Sequence, residues 1–282
     1  MDTPRIALVG GLGGMGQLLA RHFEARGAAL DLLDRDDDLH TDPRVPAADI
    51  VLLAVPMRSA VEVARAVARR VGPHALLCDI NSLKHDICAA MATSPAAEVV
   101  GYHPMFGPSI GSLRAQKIVV CDVRRGRWAG WLEAGFAEAG ATLVRTDAEQ
   151  HDRMMAAVQV LVHFSTIVAG EALRRTGTDV QESLGFTSPI YQLELSIIGR
   201  IFAQNADLYG EILMANPFSA EMRGAFLGAA RELDSLVEAG EPDAFEAKFH
   251  EIGQHFASFR DEAMALSDYV IDTMVKRPEA EE

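Results

Sequence analysis

Three short stretches of this chain hold residues that could do chemistry. The first is GYHPMFGPS (101–109), where His103 stands two residues after a glycine and directly before a proline. Proline confines the residue before it to extended backbone, so a loop at Pro104 sets the direction of the imidazole. Imidazole titrates near neutral pH and can take a proton from a substrate hydroxyl. The second stretch, Asp79-Ile80-Asn81-Ser82-Leu83-Lys84, offers a hydroxyl and an ammonium. Ser82 could orient the imidazole or bond the same substrate hydroxyl, and Lys84 is a point charge suited to a carboxylate. The third, Gly11-Leu12-Gly13-Gly14-Met15-Gly16, fits G-x-G-x-x-G. Its glycines allow a tight turn, close approach of backbone N–H groups to a pyrophosphate, and close packing of helix on strand.

These stretches need elements to position them. RIALVG (5–10) reads as a buried strand, and MGQLLARHFEARG after the glycines as a helix. LDLLDR (30–35), DIVLLAVP (49–56), HALLCDIN (74–81), EVVGYH (98–103), KIVVCDV (117–123) and ATLVRT (141–146) read as further strands, separated by helical segments. That alternation implies right-handed crossovers and an α/β, doubly wound parallel sheet of the Rossmann type, covered on both faces. The glycine loop then follows a strand and opens a helix, whose N-terminus would face the anion. Asp34 ends the second strand, 18 residues after Gly16, where a carboxylate accepts bonds from a ribose 2′-hydroxyl and repels a 2′-phosphate. NAD is therefore expected over NADP, although the adjacent Arg35 could hold a phosphate. A flavin site or a purely structural turn are the competing accounts of the glycines.

The character changes near residue 147. Helical segments are expected over 149–175, 188–205, 207–214, 217–239 and 242–275, and the closing KRPEAEE reads as frayed. The expected domains are residues 1–147, nucleotide-binding, and 148–282, all-helical. The segment 188–205 is apolar almost all round, so it is either a buried central helix or a subunit interface. The formal charge of −14 argues against nucleic acid or an anionic membrane as partner. No leader or membrane span is read at the N-terminus, and Cys78, Cys88 and Cys121 fit no zinc spacing, so a cytoplasmic protein without a metal is expected.

VGGLGGMG, LLDR, VLLAVP, DINSLK, GYHPMFG, EQHDRMMAAVQVLVHFST and SPIYQLELSIIGRIFAQNADLYGEI together resemble the prephenate dehydrogenase family, above all the dehydrogenase part of bacterial chorismate mutase–prephenate dehydrogenases. No helical segment precedes the first strand, so the mutase part is expected to be absent. The resemblance implies NAD-dependent oxidative decarboxylation of prephenate to 4-hydroxyphenylpyruvate, the precursor of tyrosine. His103 would accept the ring hydroxyl proton, with Ser82 beside it. Arg200 would clamp a substrate carboxylate, and its place in an apolar helix independently asks for an anion, either the substrate or a structural partner in Glu194 or Asp207. His163, Gln204 and Tyr209 would line the same pocket, Val55 and Pro56 would meet the nucleotide, and His151 and Asp152 would help join the domains. The position of His163 is tied in the family to tyrosine feedback.

Gln192 stands where close relatives carry arginine, which leaves open arogenate or 4-amino-4-deoxyprephenate as substrate in place of prephenate. Retention of His103 favours a hydroxyl substrate. The resemblance further implies a homodimer through the helical domain, with the active site in the cleft between domains. Two rival functions compete with this one. A β-hydroxyacid dehydrogenase would use a lysine on the helical domain, and no lysine occurs from 118 to 247. A non-catalytic NAD-binding sensor would need the glycine loop but not Ser82, His103 and Arg200 together.

Overall fold

The computed structural model describes residues 3–276, so most of the closing KRPEAEE lies outside the described residues. Packing groups the chain into two units, Met1–Val158 with Asp207–Phe218, and Gln159–Ala206 with Ser219–Glu282.

The first unit is built on a seven-stranded sheet in the order β2-β1-β3-β4-β5-β6-β7. The strands are β1 (Arg5–Val9), β2 (Ala29–Leu33), β3 (Ile50–Leu53), β4 (Leu76–Asp79), β5 (Glu98–Pro104), β6 (Lys117–Arg124) and β7 (Thr142–Thr146). Helices α1 (Gly14–Ala25), α2 (Arg44–Ala47), α3 (Met57–Ala68), α4 (His85–Ala92) and α5 (Arg127–Glu138) connect them. Successive side chains of a strand point to opposite faces, and the central strands are apolar on both. Ile6, Leu8, Ile50, Leu52, Val100 and Tyr102 pack with Phe23 of α1 and Trp128, Leu132 and Phe136 of α5. Ala7, Val9, Val51, Leu53 and Val99 pack on the other face with Ala60, Ala64 and Val67 of α3 and Ile87 and Met91 of α4.

One strand departs from the expected parallel sheet: β6 runs antiparallel to β5, while β7 is again parallel to β6. Parallel neighbours need a crossover, usually a helix. Residues 105–116 contain none and lead the chain straight back alongside β5. The carboxyl ends of β1, β3, β4 and β5 therefore share one edge. The chain steps from β1 to β2 on one side and β3 on the other, so that edge holds a topological switch point, where open α/β sheets bind ligands.

After β7 all described elements are helical: α6 (Ala148–Met155), a π-helical turn at Ala156–Leu161, α7 (Val162–Thr176), α8 (Val180–Leu184), α9 (Pro189–Phe202), α10 (Ala206–Ala215), α11 (Ser219–Ala239), α12 (Pro242–His255) and α13 (Arg260–Val275). The helix expected over 149–175 is thus interrupted by the wider π turn, and the one expected over 242–275 breaks at 256–259, where Phe259 N–H bonds Phe256 O. By length and mean hydropathy alone Ala148–Thr176 could cross a membrane. Its first turns instead carry buried His151 and Asp152 and belong to the sheet-bearing unit.

In the second unit α7 packs on α9, where Gly170 leaves room for Phe202 and Ile198. Yet Ile201 is the buried residue of α9, while Tyr191, Ile197 and Phe202 are exposed. The first alternative for segment 188–205, a helix buried within its own chain, does not hold.

Candidate active site

The glycine loop sits at the switch point and is shaped by its backbone. Gly10 adopts φ +82°, and a Cβ there would lie 2.5 Å from Ala54 O. A Cβ on Gly16 would lie 2.3 Å from Gly10 O. These contacts are with backbone, which cannot move aside as a flexible side chain would. Gly13, Gly14 and Leu12 face solvent, Met15 is half-buried, and Gly11 lies beneath against Leu32. No side chain caps α1 and its first turn holds no acidic residue. The first N–H groups of a twelve-residue helix are thus left for an external acceptor, the chemistry a diphosphate satisfies. Asp34 follows β2 and is half-buried, its Oδ1 accepting the N–H of exposed Arg35 at 2.8 Å. Val55 and Pro56 follow β3, and Val55 O accepts from Asn81 Nδ2 at 2.9 Å, which ties the end of β4 to this edge. The segment after β5 reaches the same place: a Cβ on Gly14 would touch Pro108 at 3.0 Å.

His103 is not in a loop. It is the penultimate residue of β5, paired with Val119 of β6, and Pro104 is also in the ladder. The antiparallel strand therefore holds the imidazole more rigidly than a loop would, and His103 is 3% exposed. Its Nδ1 lies 2.9 Å from His151 Nε2. His151 Nδ1 lies 2.7 Å from Asp152 Oδ1. Asp152 also accepts the N–H of Lys84 at 2.8 Å and of His85 at 3.0 Å, so it caps α4. Its carbonyl accepts from Asn216 Nδ2 at 2.8 Å, which anchors α6 to the end of α10. Burial above all, with the nearby Lys84 cation adding to it, holds the His103 imidazole well below its ordinary titration range. It is therefore neutral at physiological pH, as a general base must be.

Lys84 has a different place from the one its type implied. Its ammonium is fully buried and paired with Asp79. Asp79 Oδ2 accepts from that ammonium and from Asn81 N–H, and burial pushes the Asp79 carboxyl up. A cation enclosed in this way is not offered to a substrate carboxylate, so Lys84 is withdrawn from the substrate-binding set. Ser82 is half-buried on the turn from β4 to α4, and β4 pairs with the strand that carries His103.

The remaining expected residues lie in the helical part of the chain, Gln204 in the turn between α9 and α10. Arg200, on α9, is exposed and makes no ion pair among the described residues, while Asp207, one expected structural partner, is bonded by Arg58 at 3.1 Å. Gln204 Nε2 bonds Arg200 O at 3.3 Å, and Gln192 is exposed near the start of α9. His163 lies on α7, half-buried, and burial lowers its titration range. Tyr209, on α10, belongs with the sheet-bearing unit. His151 and Asp152 open the helical part of the chain and bond back to the sheet-bearing part, His151 to His103 and Asp152 to the N–H groups of Lys84 and His85, all within the first packing unit. A histidine–aspartate pair opening a helix was the available signal.

Comparison with known proteins identifies the family. Residues 21–123 match the model of the prephenate dehydrogenase nucleotide-binding domain, and residues 147–251 that of its dimerization domain. The chain is 33% identical over 266 residues to a T-protein of Haemophilus influenzae, covering 94% of this chain and 71% of that protein. It is 30% identical to a 4-amino-4-deoxyprephenate dehydrogenase of Streptomyces pristinaespiralis, covering 90% of this chain and 93% of that one. In fold it resembles prephenate dehydrogenase of A. aeolicus, solved with hydroxyphenyl propionate and NAD+, with TM-score 0.73 and 15% identity, over 92% of this chain and 99% of that one.

Proposed function

This chain belongs to the prephenate dehydrogenase family, and from that premise we propose that it converts prephenate to 4-hydroxyphenylpyruvate by NAD-dependent oxidative decarboxylation. The observation that carries the reading is His103: a neutral imidazole, held in a strand at the edge that also holds the glycine loop. His103 takes the proton of the ring hydroxyl. NAD, when bound, receives the hydride from the carbon that bore it. Loss of carbon dioxide from the opposite ring carbon leaves an aromatic product. Aromatisation drives the reaction, so the chain's part is to position the ring and accept the proton.

The glycine loop and α1 receive the diphosphate, Asp34 the adenosine ribose, and Val55 and Pro56 flank the nucleotide. Ser82 bonds the substrate hydroxyl or steadies the imidazole. By family resemblance Arg200 meets a substrate carboxylate through its two-pronged guanidinium, and His163, Gln204 and Tyr209 are assigned to substrate binding. The chain acts as a homodimer through its helical part; the match to a dimerization domain and the exposed apolar residues of α9 support this.

The relative named for 4-amino-4-deoxyprephenate keeps a second substrate in view. A neutral base suits a hydroxyl, whose oxygen donates strongly to the carbon losing hydride only as its proton is withdrawn, better than a ring amine, whose nitrogen lone pair donates without that help. Absorbance of NADH, followed with prephenate, arogenate and 4-amino-4-deoxyprephenate in parallel, decides the matter. The expected result is the highest kcat/KM on prephenate with NAD, lost in His103→Asn. Faster turnover of either other compound overturns the substrate, and nucleotide binding without turnover of any of the three overturns catalysis.

A further inference from the structure

Asp152 begins a chain of hydrogen bonds whose polarity can be worked out. A carboxylate only accepts, and two backbone N–H groups, from Lys84 and His85, already donate to this one. The 2.7 Å contact from His151 Nδ1 to Asp152 Oδ1 must therefore be a third donation. A neutral imidazole with its proton on Nδ1 has its lone pair on Nε2. The 2.9 Å contact between His151 Nε2 and His103 Nδ1 then requires His103 to donate. All three side chains are buried, His103 3% exposed and His151 and Asp152 each 1%, so water does not compete for the bonds between them.

We propose that Asp152 and His151 are positioning residues that fix the tautomer of His103, with its proton on Nδ1 and its lone pair on Nε2, so that the base acts through Nε2. The inference rests on the reading of His103 as the base. The substrate's hydroxyl proton goes to Nε2 and stops there. The imidazolium so formed keeps its Nδ1–H on His151, whose own Nδ1–H stays on Asp152, and no second proton moves. The negative end of the chain offsets a charge that burial otherwise opposes. A doubly protonated His151, donating from Nε2, is the arrangement that reverses the assignment and leaves His103 with its proton on the wrong nitrogen.

The first test needs no variant. Long-range nitrogen–proton NMR of the full chain labelled with [15N]histidine, recorded above pH 8, reports which ring nitrogen carries the proton, with His103 assigned by the signal lost in His103→Asn. A proton on Nδ1 of both His103 and His151 is expected. A proton on His103 Nε2, or two on His151, overturns the proposal. The second test is His151→Phe, which keeps a ring beside His103 and removes its acceptor. The expected result is a fall in kcat of about 10- to 100-fold, the scale for losing a group that orients an imidazole, with KM and nucleotide Kd unchanged. Unchanged kcat, or a change in KM alone, refutes the role. A purely structural part for the pair would lower Tm and leave tautomer and kcat unmoved. Persistent turnover in His103→Asn would sink the base reading while leaving the tautomer result standing, so the two failures are separable.

Discussion

Lys84→Met separates an enclosed structural cation from one that serves a ligand. The Lys84 ammonium and the Asp79 carboxylate are both 0% exposed. Asp79 Oδ1 has no hydrogen-bond partner, so after the substitution the carboxylate keeps the N–H of Asn81 and no counter-charge. Removing one partner of a buried pair costs about 3–5 kcal/mol. For a unit of this size that corresponds to a Tm lower by about 6–20 °C. Burial already pushes the Asp79 carboxyl up, and without Lys84 it rises further. A carboxyl raised above its unfolded value favours the fold when protonated. The variant's stability therefore falls as pH rises from about 4 through the raised value, and its deficit is smallest in acid. Urea unfolding followed by tryptophan fluorescence reads this directly, because the chain's two tryptophans, Trp128 and Trp131, both lie on α5 in the sheet-bearing unit. Asp79→Asn combined with Lys84→Met removes both charges and should recover about 2 kcal/mol or more of the summed losses. The KM for the cyclohexadienyl substrate should not change. A loss under about 1 kcal/mol together with a raised KM would refute the assignment and return Lys84 to the substrate.

Four further outcomes are expected. Because burial above all, with Lys84 adding to it, holds His103 below its ordinary range, kcat/KM should stay level from pH 8 down past 6.5 and fall only in more acid solution; an acid limb centred above 6.5 contradicts this. In Lys84→Met that limb should move up, since losing a cation favours the imidazolium. Gly16→Ala, with its Cβ 2.3 Å from Gly10 O, should distort the turn and abolish nucleotide binding, as titration calorimetry would show by the absence of heat. Arg200→Ala should raise KM by roughly 10- to 150-fold, the equivalent of about 1.5–3 kcal/mol for a charge-assisted bond, with kcat less affected; an unchanged KM rules out the carboxylate role.

Much of the scaffold was legible in order. Strands such as IVLL (50–53) are apolar at every position because both faces are covered, and the glycine loop needs its residues for reasons local to the turn. The helix His85–Ala92 falls between two of the strands read from the sequence, with its apolar Ile87, Cys88 and Met91 turned inward. Less legible was whatever depended on partners far along the chain. No local pattern marks β6 as antiparallel, since direction in a sheet depends on what the connection can span. Nor does periodicity announce the π turn at Ala156–Leu161, because its apolar residues fit an α-helix as well.

The sequence by itself determined the alternating α/β plan, the glycine turn, the carboxylate after β2 and the presence of an imidazole that could act as base, because each depends on residues within a few positions of one another. Tertiary structure alone decided what the charged groups do. Lys84 was assigned by its type to a ligand, and Asp79, five residues back, takes it into the core. His151 and Asp152 lie 48 and 49 residues beyond His103, yet they are the groups that orient it. A side chain's type fixes what it can donate or accept, whereas its partner and its distance from water are set by packing, and these determine whether a charge serves the core or the chemistry.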